Sequence, residues 1–467
     1  MKTLNFYTLI GLSTIFGQLS ASSIQHKSKP NILIIVLDDA GYNDFGFMGS
    51  RDILTPNIDK LASEGVVFTD AHVSASVSGP SRAGILTGRY QQRCGYECNL
   101  ADTLGLGLEE ETIADVFMKN GYSTACIGKW HQGNAPDYHP NRRGFMHFYG
   151  FIAGSRSYFY TPNGSDKPGR YTNLQRNGEQ VVFDGYLTDV LADEAASYIE
   201  KQSIADKPFM MYLAFNAVHT PMEATDEDMA RFKGHPRQKL AAMSWAVDRG
   251  IGTVIKKLKE TGEYENTLIF FLSDNGGAHN NQSSNIPLKG FKGNKYEGGI
   301  RVPFFIVYGD RFKGNFDGLS SSLDIFPTSC GAAGIKISKL KNKINGVNLL
   351  KYLLGDKKGN PHEILFWRKE KKFAVRLGKY KLVGADGLGY RLYNLDENLG
   401  ENVDISMSEK KLCDKMMKKY KQWEKGLITP MLWDEGIWHD VTQETVRQLM
   451  NNEKVTFFTP KDLKLKK

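Results

Sequence analysis

The run Asn31-Ile32-Leu33-Ile34-Ile35-Val36-Leu37 constrains this chain more than any other stretch. Six apolar residues follow Asn31 without a polar break, and most are β-branched. An alternating strand would leave one face in water; this one leaves neither. The pattern is that of a central parallel strand covered on both faces, and it predicts an α/β architecture with helices above and below. The run stops at Asp38-Asp39. Adjacent acids directly after a buried strand are costly unless a cation pairs with them.

The remaining segments supply such a sheet. Thr55-Pro56 offers a cap and a proline at the first helical position, opening a helix that closes at Gly65, and Val66–Thr69 returns as a strand. Helices are predicted at Thr112–Asn120, Leu187–Lys201 and Gln238–Leu258, and strands at Tyr122–Ile127, Pro208–Phe215, Thr267–Leu272 and Phe304–Val307. From about 134 to 186 there is little periodicity, which reads as long surface loops. Beyond about 355 the short strands Ile364–Trp367, Lys372–Leu377, Lys379–Val383 and Arg391–Leu395 predict a small antiparallel sheet with a helix, Ser408–Glu424, packed on it. The expected organisation is a signal peptide over 1–22, a catalytic domain over 23–355 and a C-terminal subdomain over 356–467.

Asp38 and Asp39, Lys129 and His131, His219, and Asp274 and Asn275 all lie just past the C-terminal end of a predicted strand. Open α/β sheets bind ligands at that edge. Asp38, Asp39, Asp274 and Asn275 are oxygen donors with no thiolate among them, a set that suits one hard divalent cation, calcium first and magnesium second. A further stretch, Ser76 to Arg89, reads as a loop feeding a helix, with Pro80 at its first position and Gly88 closing it. Ser78 then stands at or just before a helix N-terminus, which favours an anion, and Arg82 returns to the same spot one turn later.

Ser78-x-Pro80-Ser81-Arg82 followed by Ala83-Gly84-x-Leu86-Thr87-Gly88 resembles the signature of the type I sulfatases in their serine form. The resemblance extends to Pro30-Asn31-Ile32 through Asp38-Asp39, Gly128-Lys129-Trp130-His131, Ser273-Asp274-Asn275-Gly276, Lys292 through Arg301-Val302-Pro303, and the later Leu392-Tyr393-Asn394-Leu395. It implies an alkaline-phosphatase-like fold, with a mixed, mostly parallel central sheet and a smaller antiparallel C-terminal subdomain. It also implies that Ser78 is oxidised to formylglycine (3-oxoalanine) by a maturase, in this form the anaerobic radical type acting before export. An unmodified serine attacking a sulfate ester would be left O-sulfated. A hydrated aldehyde carries two hydroxyls on one carbon, so one can attack sulfur while the other later expels sulfate. By the same resemblance Asp38, Asp39, Asp274 and Asn275 hold calcium together with Ser78. Arg82 and Lys129 steady the formylglycine, and His131 is the base for the elimination. His219 and Lys292 contact sulfate, and His219 protonates the leaving alcohol.

The first 22 residues have a basic end, an apolar centre from Leu4 to Leu19 and a small-residue Ser20-Ala21-Ser22 region, as in a secretory signal peptide. No cysteine follows that run, so no lipoprotein anchor is expected, and the protein is read as exported, periplasmic or secreted. The net charge of +8 suits an anionic partner or a merely soluble surface; no nucleic-acid partner is expected. Cys94 and Cys98 are close enough for a disulfide or are two small hydrophobes. Sulfatases of this kind act on sulfated sugars, often at a chain end, in algal polysaccharides such as ulvan or carrageenan or in glycosaminoglycans. The segment 134–145, with Tyr96 and Glu97, offers aromatic and charged groups for such a sugar. The alternatives are a phosphomonoester or phosphodiester hydrolase of the alkaline phosphatase superfamily, and a glycan-binding protein in which Ser78 stays serine.

Overall fold

The computed structural model describes residues 29–99, 103–432, 436–456, 458–459 and 461–462, so the predicted signal peptide lies outside the described residues. A ten-stranded sheet forms the centre. From edge to edge its strands are Gly314–Phe316, Val66–Phe68, Phe304–Val307, Thr267–Ser273, Asn31–Leu37, Phe209–Ala214, Ser123–Lys129, His147–Phe151, Gln175–Arg176 and Glu179–Gln180. Asn31–Leu37 pairs parallel with both of its neighbours, and Ser123–Lys129 is parallel to strands on either side. Phe304–Val307 runs antiparallel, which makes the sheet mixed.

The unbroken apolar run now has its physical reason. Ile32, Ile34 and Val36 belong to the core on one side of the sheet, and Leu33, Ile35 and Leu37 to the core on the other. All six are fully buried. Each contributes about 1.5–3 kcal/mol on burial, enough for one strand to anchor the two acids at its end. Helices Leu187–Ile204 and Gln238–Glu260 cover one face. The Ile113–Lys119 helix lies on the other, with a capping box between Thr112 and Asp115.

The C-terminal part is a four-stranded antiparallel sheet, Ile364–Lys369, Lys372–Leu377, Tyr380–Ala385 and Gly389–Asn394. Its Leu365, Trp367, Ala374 and Val383 pack into the main core, while Phe366, Val375, Leu382 and Leu392 pack against Cys413, Met416 and Tyr420 of the Lys410–Glu424 helix. A second C-terminal helix, Ile437–Met450, was not expected from the sequence. All five cysteines are free, so Cys94 and Cys98 form no disulfide.

Candidate active site

The helix carrying Ser78 starts two residues earlier than its proline suggested. It spans Ser78–Thr87, Val77 is the N-cap, and Pro80 is the third helical residue rather than the first. Gly88 ends it in the left-handed region at φ 62°. Ser78 is therefore the first residue of the helix, among the N–H groups that have no partner within it.

The strand ends deliver their side chains to this hydroxyl. Ser78 Oγ lies 3.1 Å from Asp38 Oδ1 and 3.2 Å from Asn275 Oδ1. Asn275 Nδ2 donates to Asp39 Oδ1 at 2.8 Å, and the Asp39 backbone N–H donates to Asp274 Oδ1 at 3.3 Å. Two acids, a third acid and an amide from separate strands thus form one oxygen-rich wall around Ser78. Asp38, Asp39 and His219 also lie close enough together to hold one ion.

Cations close the arrangement. Lys129 Nζ is 2.5 Å from Asp38 Oδ2, Arg82 Nε is 2.8 Å from Asp274 Oδ2, and Lys292 Nζ is 2.7 Å from Asp39 Oδ1. Burial works to raise the Asp38 carboxyl pKa, but Lys129, His219 and Arg82 outweigh it and hold it below the usual carboxylate range. Asp39 behaves alike: burial opposes its charge, and Lys292 and His219 prevail. Both acids are held ionised. Lysines 289 and 295 go elsewhere, to Asn452 and Ser76.

The two histidines differ. His219 Nδ1 sits 2.6 Å from the Thr220 carbonyl, which fixes the proton on Nδ1 and leaves Nε2 facing Asp39 Oδ2 at 3.6 Å. His131 has a buried Nδ1 with no hydrogen-bond partner. Burial, then the Lys129 and Arg82 charges, push its pKa well below the usual imidazole value, so the ring is neutral at neutral pH.

Two of these residues occupy left-handed backbone, Asp39 at φ 62° and His131 at φ 56°. Such a conformation costs a non-glycine residue about 1–3 kcal/mol and persists where the surroundings impose it. The surroundings here were not foreseen from sequence. Asn281 Nδ2 and Ser283 Oγ both donate to the Asp39 carbonyl, at 3.1 and 3.0 Å. Tyr158 Oη donates to the Asn216 and His219 carbonyls at 2.6 and 2.9 Å. Tyr96 Oη holds the His131 carbonyl at 3.0 Å. Gly154 faces the His131 ring so closely that a Cβ there would meet Nε2 at 2.7 Å.

Two polar side chains of the segment 134–145 turn to the protein itself. Arg143 is buried and donates to the carbonyls of Leu106, Gly107 and Glu110, and His139 pairs with Gln175. Glu97 pairs with Arg368. These groups brace the protein's own loops.

Comparison with known proteins gives a consistent picture. Residues 30–335 match the Sulfatase family. The chain is 34% identical to the uncharacterized sulfatase YdeN of Escherichia coli (strain K12), over 75% of this chain and 71% of that one. It is also 34% identical to arylsulfatase G of Homo sapiens, over 72% of this chain and 71% of that one. Among solved structures, Ps i-CgsB in complex with k-i-k-neocarrahexaose superposes with a TM-score of 0.83 and 37% identity, covering 91% of this chain and 98% of the other.

Proposed function

This chain belongs to the sulfatase family and is a sulfuric ester hydrolase, and from that premise we propose that it removes sulfate from a sulfated polysaccharide or oligosaccharide after export, using a nucleophile derived from Ser78. The observation that carries this reading is the position of the Ser78 hydroxyl, at the first turn of its helix and within 3.2 Å of both Asp38 and Asn275. Conversion of Ser78 to formylglycine by a maturase would supply the second hydroxyl that lets sulfate leave. The structure similar to this one that bears k-i-k-neocarrahexaose supports a carrageenan-type or related sulfated glycan as substrate.

The donor set fits one hard cation. Asp38, Asp39, Asp274 and Asn275, with the Ser78 oxygen, would hold it, and calcium matches their chemistry. When bound, the ion supplies polarisation of a sulfate oxygen and acidity to the nucleophile.

The chain's own residues do the rest. Lys129 and Arg82 flank Ser78 and fix Asp38 and Asp274, so the nucleophile is oriented before substrate arrives. Lys292 and His219, at the more open margin of the site, bind the sulfate group. His219 Nε2, with Nδ1 tied to the Thr220 carbonyl, carries the proton for the leaving sugar oxygen. His131, kept neutral by burial and its cationic neighbours, takes the proton in the step that frees sulfate.

The test is peptide mass at Ser78 in enzyme from a maturase-competent host, with turnover of an aryl sulfate and a sulfated oligosaccharide. A peptide lighter by two hydrogens, activity lost on calcium chelation, and no turnover in Ser78→Ala are expected. Unmodified serine in an active enzyme, or equal turnover of aryl phosphate, would overturn the reading.

A further inference from the structure

The Lys410–Glu424 helix carries six lysines in 15 residues against two acids, Asp414 and Glu424. Its Cys413, Met416 and Tyr420 pack on one face of the C-terminal sheet, whose other face enters the main core. Lys411, Lys415 and Lys418 recur at helical spacing on the side away from that contact, and all three are exposed. Among the described residues none of the three has a side-chain hydrogen bond or ion pair.

This row works against the helix that carries it. Lys411 and Lys415, and again Lys415 and Lys419, stand four residues apart, where like charges repel. Lys410 and Lys411 also occupy the first turn, which holds no acid, although the helix dipole favours one there. A merely solvated face gains more from alternating signs. The uniform sign is a cost that an anionic partner offsets.

An open groove of about 660 Å³ adjoins the row. Phe373, Tyr390 and Tyr420 give it aromatic faces, and Phe373 stacks on Tyr420 with ring centroids 4.6 Å apart. Lys371 and Lys421 also line it, beside Asp386 and Glu424. Lys421 is one turn from Lys418, so groove and row are continuous. Aromatic faces next to a row of ammonium groups suit a chain of sugar rings that bears anions. The apolar stripe of the helix is occupied by the sheet, which leaves none to insert into a lipid surface. Among the described residues, none that lines this groove also lines the cavity that Val77 and Lys292 form beside Ser78.

We propose that the row and groove form a second binding surface for sulfated polysaccharide, which holds one stretch of the polymer while another stretch loses sulfate at Ser78. The inference rests on the sulfated-glycan reading above and deepens it: the substrate is a polymer long enough to engage both places, and holding it raises the local concentration of sulfate esters.

Binding is measured in a Ser78→Ala background, so that it does not depend on turnover. The probes are carrageenan polymer, its chemically desulfated counterpart, a carrageenan tetrasaccharide and phosphatidylglycerol vesicles. Lys411→Gln/Lys415→Gln/Lys418→Gln removes the row and keeps good helix formers. Lys201→Gln/Lys207→Gln/Lys256→Gln, exposed on the main body, lowers the net charge equally. The first set should weaken binding of the sulfated polymer by about tenfold or more and leave the tetrasaccharide as it was; the second should change neither. Equal losses from both sets, no loss from the first, or an equal loss for the tetrasaccharide overturn the surface. Desulfated polymer or vesicles bound as tightly as sulfated polymer overturn it too. In the Ser78 enzyme the first set should lower kcat/KM on polymer and spare 4-nitrophenyl sulfate. Lys415→Gln alone, with a smaller loss of the same kind, serves if the triple variant does not fold. An enzyme that cleaves no sulfate ester would sink the proposed activity while the binding data still decide the surface.

Discussion

Two buried charge clusters in this protein invite comparison, because each gathers acids and a histidine close enough to hold a metal ion. One surrounds Ser78. The other sits where the C-terminal sheet meets the main body. There His72 Nε2 is 3.0 Å from Glu297 Oε2, Arg376 is 2.9 Å from Asp70, Arg301 is 3.4 Å from Glu297, and Lys381 lies between Glu297 and Glu401 at 2.8 and 2.9 Å. In both, basic groups answer the acids. What differs is access and the group at the centre. Glu297 and Lys381 have no exposed side-chain surface, whereas Lys292 and His219 are about one-fifth exposed. The Ser78 cluster also contains a hydroxyl and an amide that charge balance does not require. Converging acids thus make a candidate ion site but do not make a reactive one; an open margin and a nucleophile do.

The sharpest way to break the parallel is to remove one cation from each cluster. Lys381→Met leaves Glu297 and Glu401 buried together, and losing one partner of a buried pair costs about 3–5 kcal/mol. Its expected effect is a large fall in thermal or denaturant midpoint, with kcat per folded molecule preserved. Lys129→Met breaks an equally buried pair and should cost stability as well, but it should also lose turnover. Removing a preorganised charge beside the reacting atoms costs about 10²–10³-fold in kcat, and turnover per folded molecule, measured on an aryl sulfate, should fall by that order. If Lys381→Met instead abolished turnover in fully folded protein, the two clusters would be one functional unit.

The two clusters were also unequally legible. The Ser78 cluster was readable because each of its acids ends a buried strand: the apolar runs before Asp38 and Asp274 mark their ends in the sequence itself. Lys292 was separable from Lys289 and Lys295 only by resemblance, since nothing local tells which of three nearby lysines turns toward Asp39. The groups that brace the site, Gly154, Tyr158, Asn281 and Ser283, sit in loops without periodicity, and their importance arises from contacts that only the folded chain creates. The Ile437–Met450 helix escaped for another reason. It buries the polar Thr445 and Gln448 beside Val441, so its inward face is partly polar. The sealed cluster left no signal at all. Asp70, His72, Glu297, Lys381 and Glu401 come from distant segments, and each looks like an ordinary surface charge.

The smallest expected effect is also the one that isolates the sealed cluster's electrostatics. Burial first, then the neighbouring Glu297 charge, raise the Glu401 carboxyl from 4.5 to about 7 despite Lys381. The folded protein therefore holds this proton more tightly than the unfolded chain does. Stability from that difference is fully present below about pH 4.5 and is lost as pH rises through about 7. Glu401→Gln keeps an acceptor for the Glu297 N–H, which the native side chain receives at 2.7 Å, and abolishes the titration. Unfolding midpoints measured from pH 5 to 8 should decline less steeply in Glu401→Gln than in the native protein, by a few degrees across the range. Asp38 and Asp39, beside Ser78, have their pKa values lowered, so they stay ionised throughout that window and contribute no slope. An unchanged slope in the variant would mean that Lys381 keeps Glu401 ionised at neutral pH, and the sealed cluster would then resemble the reactive one in its ionisation as well as its composition.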